Sequence, residues 1–187
     1  MAEPDYTSLI DEYKHAGQLP LLWQWRAREY ICAANVLRRV TDKTDLFALR
    51  DTKRWKPHRT VRMLYGLALE IMLKGLLIAQ GVDATSTGKL NQRLQTHNVL
   101  VLWKHAGLPL DPQTEQVLKI LHWSIEAGKY PIGTKFDAFE PVPYLRASAT
   151  VNQIMRLLET VEAALHATER VLDKTDLRKL CTDWTET

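Results

Sequence analysis

The stretch HRTVRMLYGLALEIMLKGLLIAQ (residues 58–80) decides the fold. From Val61 to Ala79 it is largely apolar and almost long enough to span a bilayer, so a membrane helix and a buried core helix compete for it. Arg59 and Arg62 stand at its start, and Glu70 and Lys74 near its middle. Charged groups at bilayer depth cost a few kcal/mol each, whereas the central helix of a bundle can be apolar nearly all round. The segment therefore reads as the innermost helix of a water-soluble fold. Gly81 ends it, being the residue type that best accepts a left-handed C-cap.

Upstream, Trp23, Ala27, Tyr30, Ile31, Ala34 and Leu37 recur at spacings of three and four, with Arg26, Glu29 and Arg38 off that stripe. This predicts an amphipathic helix from Leu22 to about Thr41. A short helix is expected around Tyr6 to His15. Residues 42–57 read as a polar connection with a helical turn at Asp45 to Arg50, and Pro57 suits the first turn of the next helix.

Downstream, residues 81–96 read as a polar loop, followed by a short helix from about His97 to His105 closed by Gly107 and Pro109. Asp111 before Pro112, with Glu115 in the first turn, is a strong helix start. Val117, Leu118, Leu121 and Ile125 supply its apolar side, and Gly128 with Pro131 mark its stop. Residues 129–147 carry prolines and aromatics and read as a long ordered loop packed on the bundle. Thr150 and Gln153 fit a capping box before Val151, Ile154, Leu158, Val161, Leu165 and Leu172, a helix expected to reach about Asp173. No alternating run bounded by hairpin turns is present. The expected fold is an all-α, up-and-down antiparallel bundle of about four main helices with short accessory ones. Residues 1–21 form an extension, 22–174 the bundle and 175–187 a tail.

The bulk numbers agree with one ordinary domain: 187 residues, 45% hydrophobic and 25% charged. A net charge of +3 is too small to imply nucleic-acid binding by itself, so such a claim needs a local patch. The amino-terminal segment has acidic residues and no apolar core, so no signal peptide is read and a cytoplasmic location is expected. Cys32 falls on the apolar side of its helix and Cys181 in the polar tail. With no Cys-x-x-Cys or His-rich set, both read as buried or idle thiols, and neither a metal site nor a cofactor is expected.

Three places carry chemistry. Glu70 and Lys74 are an i,i+4 pair in the favourable order. Neither charge can be buried unpartnered, so they are either an ion pair that fixes packing or a polar spot facing a cleft. Arg50, Lys53, Arg54, Lys56, Arg59 and Arg62 surround Trp55 and His58: six cations in thirteen residues. They are either solvated or a phosphate-contacting patch with a stacking face. His97, after Lys89 and Arg93, either caps its helix or bonds a loop, or serves as a general base. Phosphate-binding loops, nucleophile elbows and His-Glu-x-x-His are absent from the sequence.

The order ALEIMLKGLLIAQG (68–81), THNVLVLWKHAGL (96–108), AGKYPI (127–132) resembles the HEPN domains, small helical bundles found with nucleotidyltransferases, in toxin–antitoxin pairs and in defence systems. The resemblance covers about residues 22–172. It rests on the Glu70-x-x-x-Lys74 helix, the helix start at His97–Asn98–Val99 and the turn Lys129–Tyr130–Pro131. Ribonuclease members have four to six residues between an Arg and the His that follows it. Arg54 to His58 and Arg93 to His97 have only three residues between them, so the chain departs from that motif.

The resemblance implies a non-catalytic module binding a nucleotide, RNA or a partner protein, an antitoxin or a nucleotidyltransferase among the candidates. Its site would lie near Glu70, Lys74, His97, Lys129 and Tyr130, with Arg59 and Arg62 at the cleft mouth. A homodimer is expected, because such bundles pair through helix faces and the six tryptophans offer anchoring surface. Two other readings stand beside it. One is a metal-independent endoribonuclease toxin in which Arg93 stabilises phosphate charge and His97 moves the proton of the attacking hydroxyl. The other is a structural subunit of a larger assembly.

Overall fold

A computed structural model describes residues 14–43, 58–85, 89–129 and 150–168. Its main elements are α1 (Pro20–Lys43), α2 (His58–Ala79), a short 3-10 turn (Gln92–Leu94), α3 (Val99–His105), α4 (Pro112–Lys129) and α5 (Val151–Thr168). Among the described residues there is no strand, only an isolated bridge between Thr85 and Leu90. The all-α bundle expected from the sequence is the fold observed. No helix among these residues is long and apolar enough to cross a membrane.

Helix α2 is the axis of the bundle and packs against α1, α3, α4 and α5. Tyr65, Ala68, Leu69, Leu73 and Leu76 on it have no solvent exposure, which is why its sequence is apolar around most of its circumference. Two glycines set how closely its neighbours approach. A β-carbon at Gly75 would lie 2.9 Å from Trp23 Cβ on α1, and one at Gly66 would lie 2.9 Å from Ile125 Cγ1 on α4. In the fold they are the crossing points. Trp23 lies at Gly75, and Asn35, one turn beyond Ile31, accepts a 2.7 Å hydrogen bond from the Tyr65 hydroxyl. The two contacts make α1 and α2 antiparallel.

The helix ends follow the local signals. Gly81 adopts φ +95° and its N–H reaches the Ile78 carbonyl at 2.9 Å, with Val82 N–H on Leu77 at 3.0 Å. Asp111 caps α4 through the Thr114 N–H at 2.7 Å, and that backbone bond holds its carboxyl below the usual range. At α5 the Thr150 N–H donates to Gln153 Oε1 (2.8 Å), and the Gln153 N–H donates to Thr150 Oγ1 (3.3 Å). This is the reciprocal box that the sequence pattern predicts.

Four local readings change. Helix α1 begins at Pro20 rather than Leu22, and residues 14–17 already form a helical turn. The loop after Gly81 is not wholly irregular, since it contains the 3-10 turn. Helix α3 starts at Val99, and Asn98, not His97, is its cap: the Asn98 side chain accepts from the N–H groups of Leu100 and Val101. Cys32 is exposed. Ile31 and Ala34 carry the buried stripe, and Cys32 sits about 100° around the helix from Ile31. The expected helices at Tyr6–His15 and Asp45–Arg50 lie wholly or mostly outside the described residues, as do the loop from 130 to 147, the stretch 169–173 and Cys181.

A polar bridge joins α1 to α5. Gln24, 1% exposed, donates to Glu162 Oε1 at 3.1 Å, Arg28 donates to the same oxygen at 2.7 Å, and the Gln24 amide lies 3.4 Å from His166 Nε2. The Arg28 bond holds the Glu162 carboxyl below the usual carboxylate range. Burial opposes it, and the Arg28 charge, Gln24 and His166 reinforce it. A depressed folded-state pKa stabilises the fold above the ordinary carboxylate range, near about 4.3, and this contribution is lost as pH falls through the folded value. Glu162→Gln is thus expected to lower stability at pH 7 and to match wild type once the medium is acidic enough to protonate Glu162. Urea titrations at the two pH values check it.

Candidate functional site

The fold brings together three of the residues singled out from the sequence. Glu70 and Lys74 lie one turn apart on α2, and both are buried, at 3% and 5% exposure. Lys74 Nζ donates to Glu70 Oε1 at 2.6 Å. His97 comes from a different element, the last loop residue but one before α3. Its Nδ1 lies 3.0 Å from Glu70 Oε1 and 3.1 Å from Oε2. Between the two sequence-level readings of the Glu70–Lys74 pair, burial decides the first half: it is an ion pair inside the core. The second half is His97, which connects that pair to the surface, since its side chain is 50% exposed.

The local chain geometry explains how His97 gets there. The Asn98 N–H is held by Thr96 Oγ1 at 3.0 Å, and the Asn98 side chain turns forward to cap α3. Val99, Leu102 and Trp103 anchor α3 in the core, with the Trp103 indole N–H on the Pro109 carbonyl at 3.0 Å. His97 is therefore the residue that passes over α2 as the chain enters α3. Sequence reading selects it for its position near basic side chains. The partner that holds it is the carboxylate twenty-seven residues earlier.

Chemically, an ionised carboxylate only accepts hydrogen bonds. Glu70 accepts from the Lys74 ammonium, and as a carboxylate it also accepts from the imidazole nitrogen facing it, so that nitrogen is the donor. That leaves Nε2 on the solvent side, as a lone-pair acceptor in the neutral ring or a donor in the imidazolium. A carboxylate fixing the tautomer and angle of an outward-facing histidine is a recurrent way of preparing that ring for binding or proton transfer.

Two further candidates lie elsewhere on the described elements. Arg62 is half-buried on α2, two turns before Glu70, or about 12 Å along the axis at the helical rise. Arg93 sits in the 3-10 turn with its side chain exposed. The side chains of Arg59 and Lys129, and all of Tyr130, lie outside the described residues, as does most of the basic segment around Trp55. Among the described residues no three His, Cys, Asp or Glu side chains converge as a metal set. No family model, no curated protein and no solved structure matches the chain.

Proposed function

We propose that the chain is a non-catalytic HEPN-like helical module that binds a nucleotide or RNA at a site centred on His97, in a toxin–antitoxin or defence setting and as a homodimer. One observation carries the reading. The residues that bear the family resemblance in separate segments, Glu70, Lys74 and His97, meet in one hydrogen-bonded group whose imidazole is half-exposed. Arg59, Arg62, Lys129 and Tyr130 are the further candidates for phosphate and base contacts.

The test is native mass spectrometry of freshly purified protein, followed by anisotropy titrations with labelled RNA and a nucleotide panel. Wild-type protein is expected to retain or bind a nucleotide or RNA, and His97→Ala to weaken that binding about tenfold, the loss of one good hydrogen bond. Because the His97 side chain is half-exposed, the variant is expected to keep its fold. Wild-type protein with no affinity for any member of the panel would remove the reading.

A second reading is favoured by the same ring orientation. An Nε2 presented by a carboxylate-anchored histidine is equipped to act as a general base, with Arg93, four residues earlier, as the phosphate partner of a metal-independent endoribonuclease. It predicts RNA cleavage that persists in chelator and disappears in His97→Ala. Intact RNA after prolonged incubation with wild-type protein would eliminate it.

A further inference from the structure

We infer that the outer face of α1 is where two copies of this chain meet, antiparallel about a two-fold axis at Cys32, with each Trp25 ring against the partner's Arg39. It is the contact face of the homodimer proposed above and depends on that part of the reading, not on the ligand.

Among the described residues the exposed large hydrophobic side chains are Trp25, at 42% exposure, and Val36, at 56%. Both lie on α1, with the exposed Cys32 between them. At about 100° per residue, the three fall within about 40° of one another around the helix. That puts them opposite Ala27 and Ala34, which are fully buried in the core. The outer side of an amphipathic helix is ordinarily polar. Here it carries an apolar line about 16 Å long at the helical rise. An aligned set of this kind points to contact with another surface, and tryptophan is prominent among the residues that anchor one.

Spacing and charge select a second copy of the chain as the occupant. Trp25, Cys32 and Arg39 stand seven residues apart, on a line that drifts only about 20° per heptad. Arg39 is exposed. Cys32 is the midpoint, so a two-fold axis through it brings the Trp25 of each copy level with the Arg39 of the other. A guanidinium over an indole face is a favourable cation–π pairing. The edges of the line also suit self-contact. On one side Arg26 pairs with Glu29 at 2.5 Å, and on the other Arg28 pairs with Glu162 at 2.7 Å. Each edge is closed within its own chain, so two identical faces meet without unbalanced like charges there. Parallel pairing would instead bring Arg39 level with Arg39. One patch serving both partners is the ordinary form of a two-fold homodimer.

The experiment is sedimentation equilibrium of the full-length protein, with cross-linking in the Cys181→Ser background, where Cys32 is the remaining cysteine. Wild type is expected to be a dimer. Trp25→Glu is expected to weaken it about thirtyfold or more, as loss of an interfacial anchor does. Val36→Asp and Arg39→Glu are each expected to weaken it about tenfold. Lys104→Ala, on α3, is expected to leave it unchanged. The substituted side chains are exposed, so the variants are expected to keep their fold, which circular dichroism checks. A short bis-maleimide, which adds one thiol at each end, is expected to join two chains through Cys32. Direction is read with Arg39→Cys in a Cys32→Ser, Cys181→Ser background. Antiparallel seating holds those two thiols about 21 Å apart along the axis, and the same reagent is expected not to join them. Cross-linking there would overturn the antiparallel seating. A dimer that none of the α1 variants weakens, and that the reagent does not join through Cys32, would overturn the inference and leave the homodimer to another face. A monomeric wild type would remove the homodimer and this face together. The titrations with His97→Ala would then still decide the binding reading.

Discussion

Glu70→Leu is expected to cost about 3–5 kcal/mol of folding stability, and Glu70→Leu combined with Lys74→Met to recover most of that loss. The single substitution strands an ammonium that is buried between α2 and its neighbours, along with an imidazole nitrogen that has lost its acceptor. Removing one partner of a buried pair leaves an uncompensated charge, and this desolvation cost dominates. The double substitution puts two apolar side chains of similar length where the pair stood, and such replacements are often neutral or better. Lys74→Met alone is expected to fall between them. The His97 Nδ1 contact to the Glu70 carboxylate remains in that variant, whereas Glu70→Leu removes the acceptor of both Lys74 and His97. Guanidinium titrations of the four proteins give the cycle. Equal losses for the two single variants would mean that the His97 contact does not support the carboxylate.

Gly66→Leu is the other large effect, expected at about 2–3 kcal/mol net, and it reports on the crossing of α2 and α4. The first added carbon would lie 2.9 Å from Ile125 Cγ1, 3.2 Å from Ile125 Cδ1 and 3.2 Å from the Leu121 carbonyl oxygen. The side-chain atoms can rotate away, but the Leu121 oxygen is helix backbone and moves only if α4 shifts. Overpacking of this kind costs about 1–3 kcal/mol, more where backbone must move, and the gain from replacing glycine inside a helix offsets about 1 kcal/mol. Gly75→Leu should behave similarly through Trp23 Cβ at 2.9 Å. Thermal and denaturant unfolding measure both. A stabilised Gly66→Leu would show that the helix-propensity term acts alone, and so that α4 does not lie against this face of α2.

The local devices were legible because each depends on residues a turn apart. The capping box at Thr150 and Gln153, the Asp111–Pro112 start and the left-handed Gly81 are decided by backbone geometry that the sequence itself specifies. The central position of residues 58–80 was legible for a related reason: a helix apolar nearly all round has to be covered on all sides. Sequence patterning misplaced Cys32, which the helical angle between Cys32 and Ile31 puts on the outside, and counted capping of α3 among the roles open to His97, a role that Asn98 fills.

The candidate site divides along the same line. Glu70 and Lys74 were a recognisable pair because an i,i+4 spacing puts them on one face whatever the rest of the chain does. That both are buried, and that the third member of the group is His97, follows only from packing. The loop from Gly81 to Asn98 must fold back over α2 before α3 enters the core, and no local rule fixes where one of its side chains lands. Gly66 and Gly75 are similar: they become contact points only once α4 and α1 are laid against α2. Sequence alone determines which faces must be hidden and where helices stop, because those are short-range energies. Which polar groups share one carboxylate is a long-range result of how the hidden faces meet.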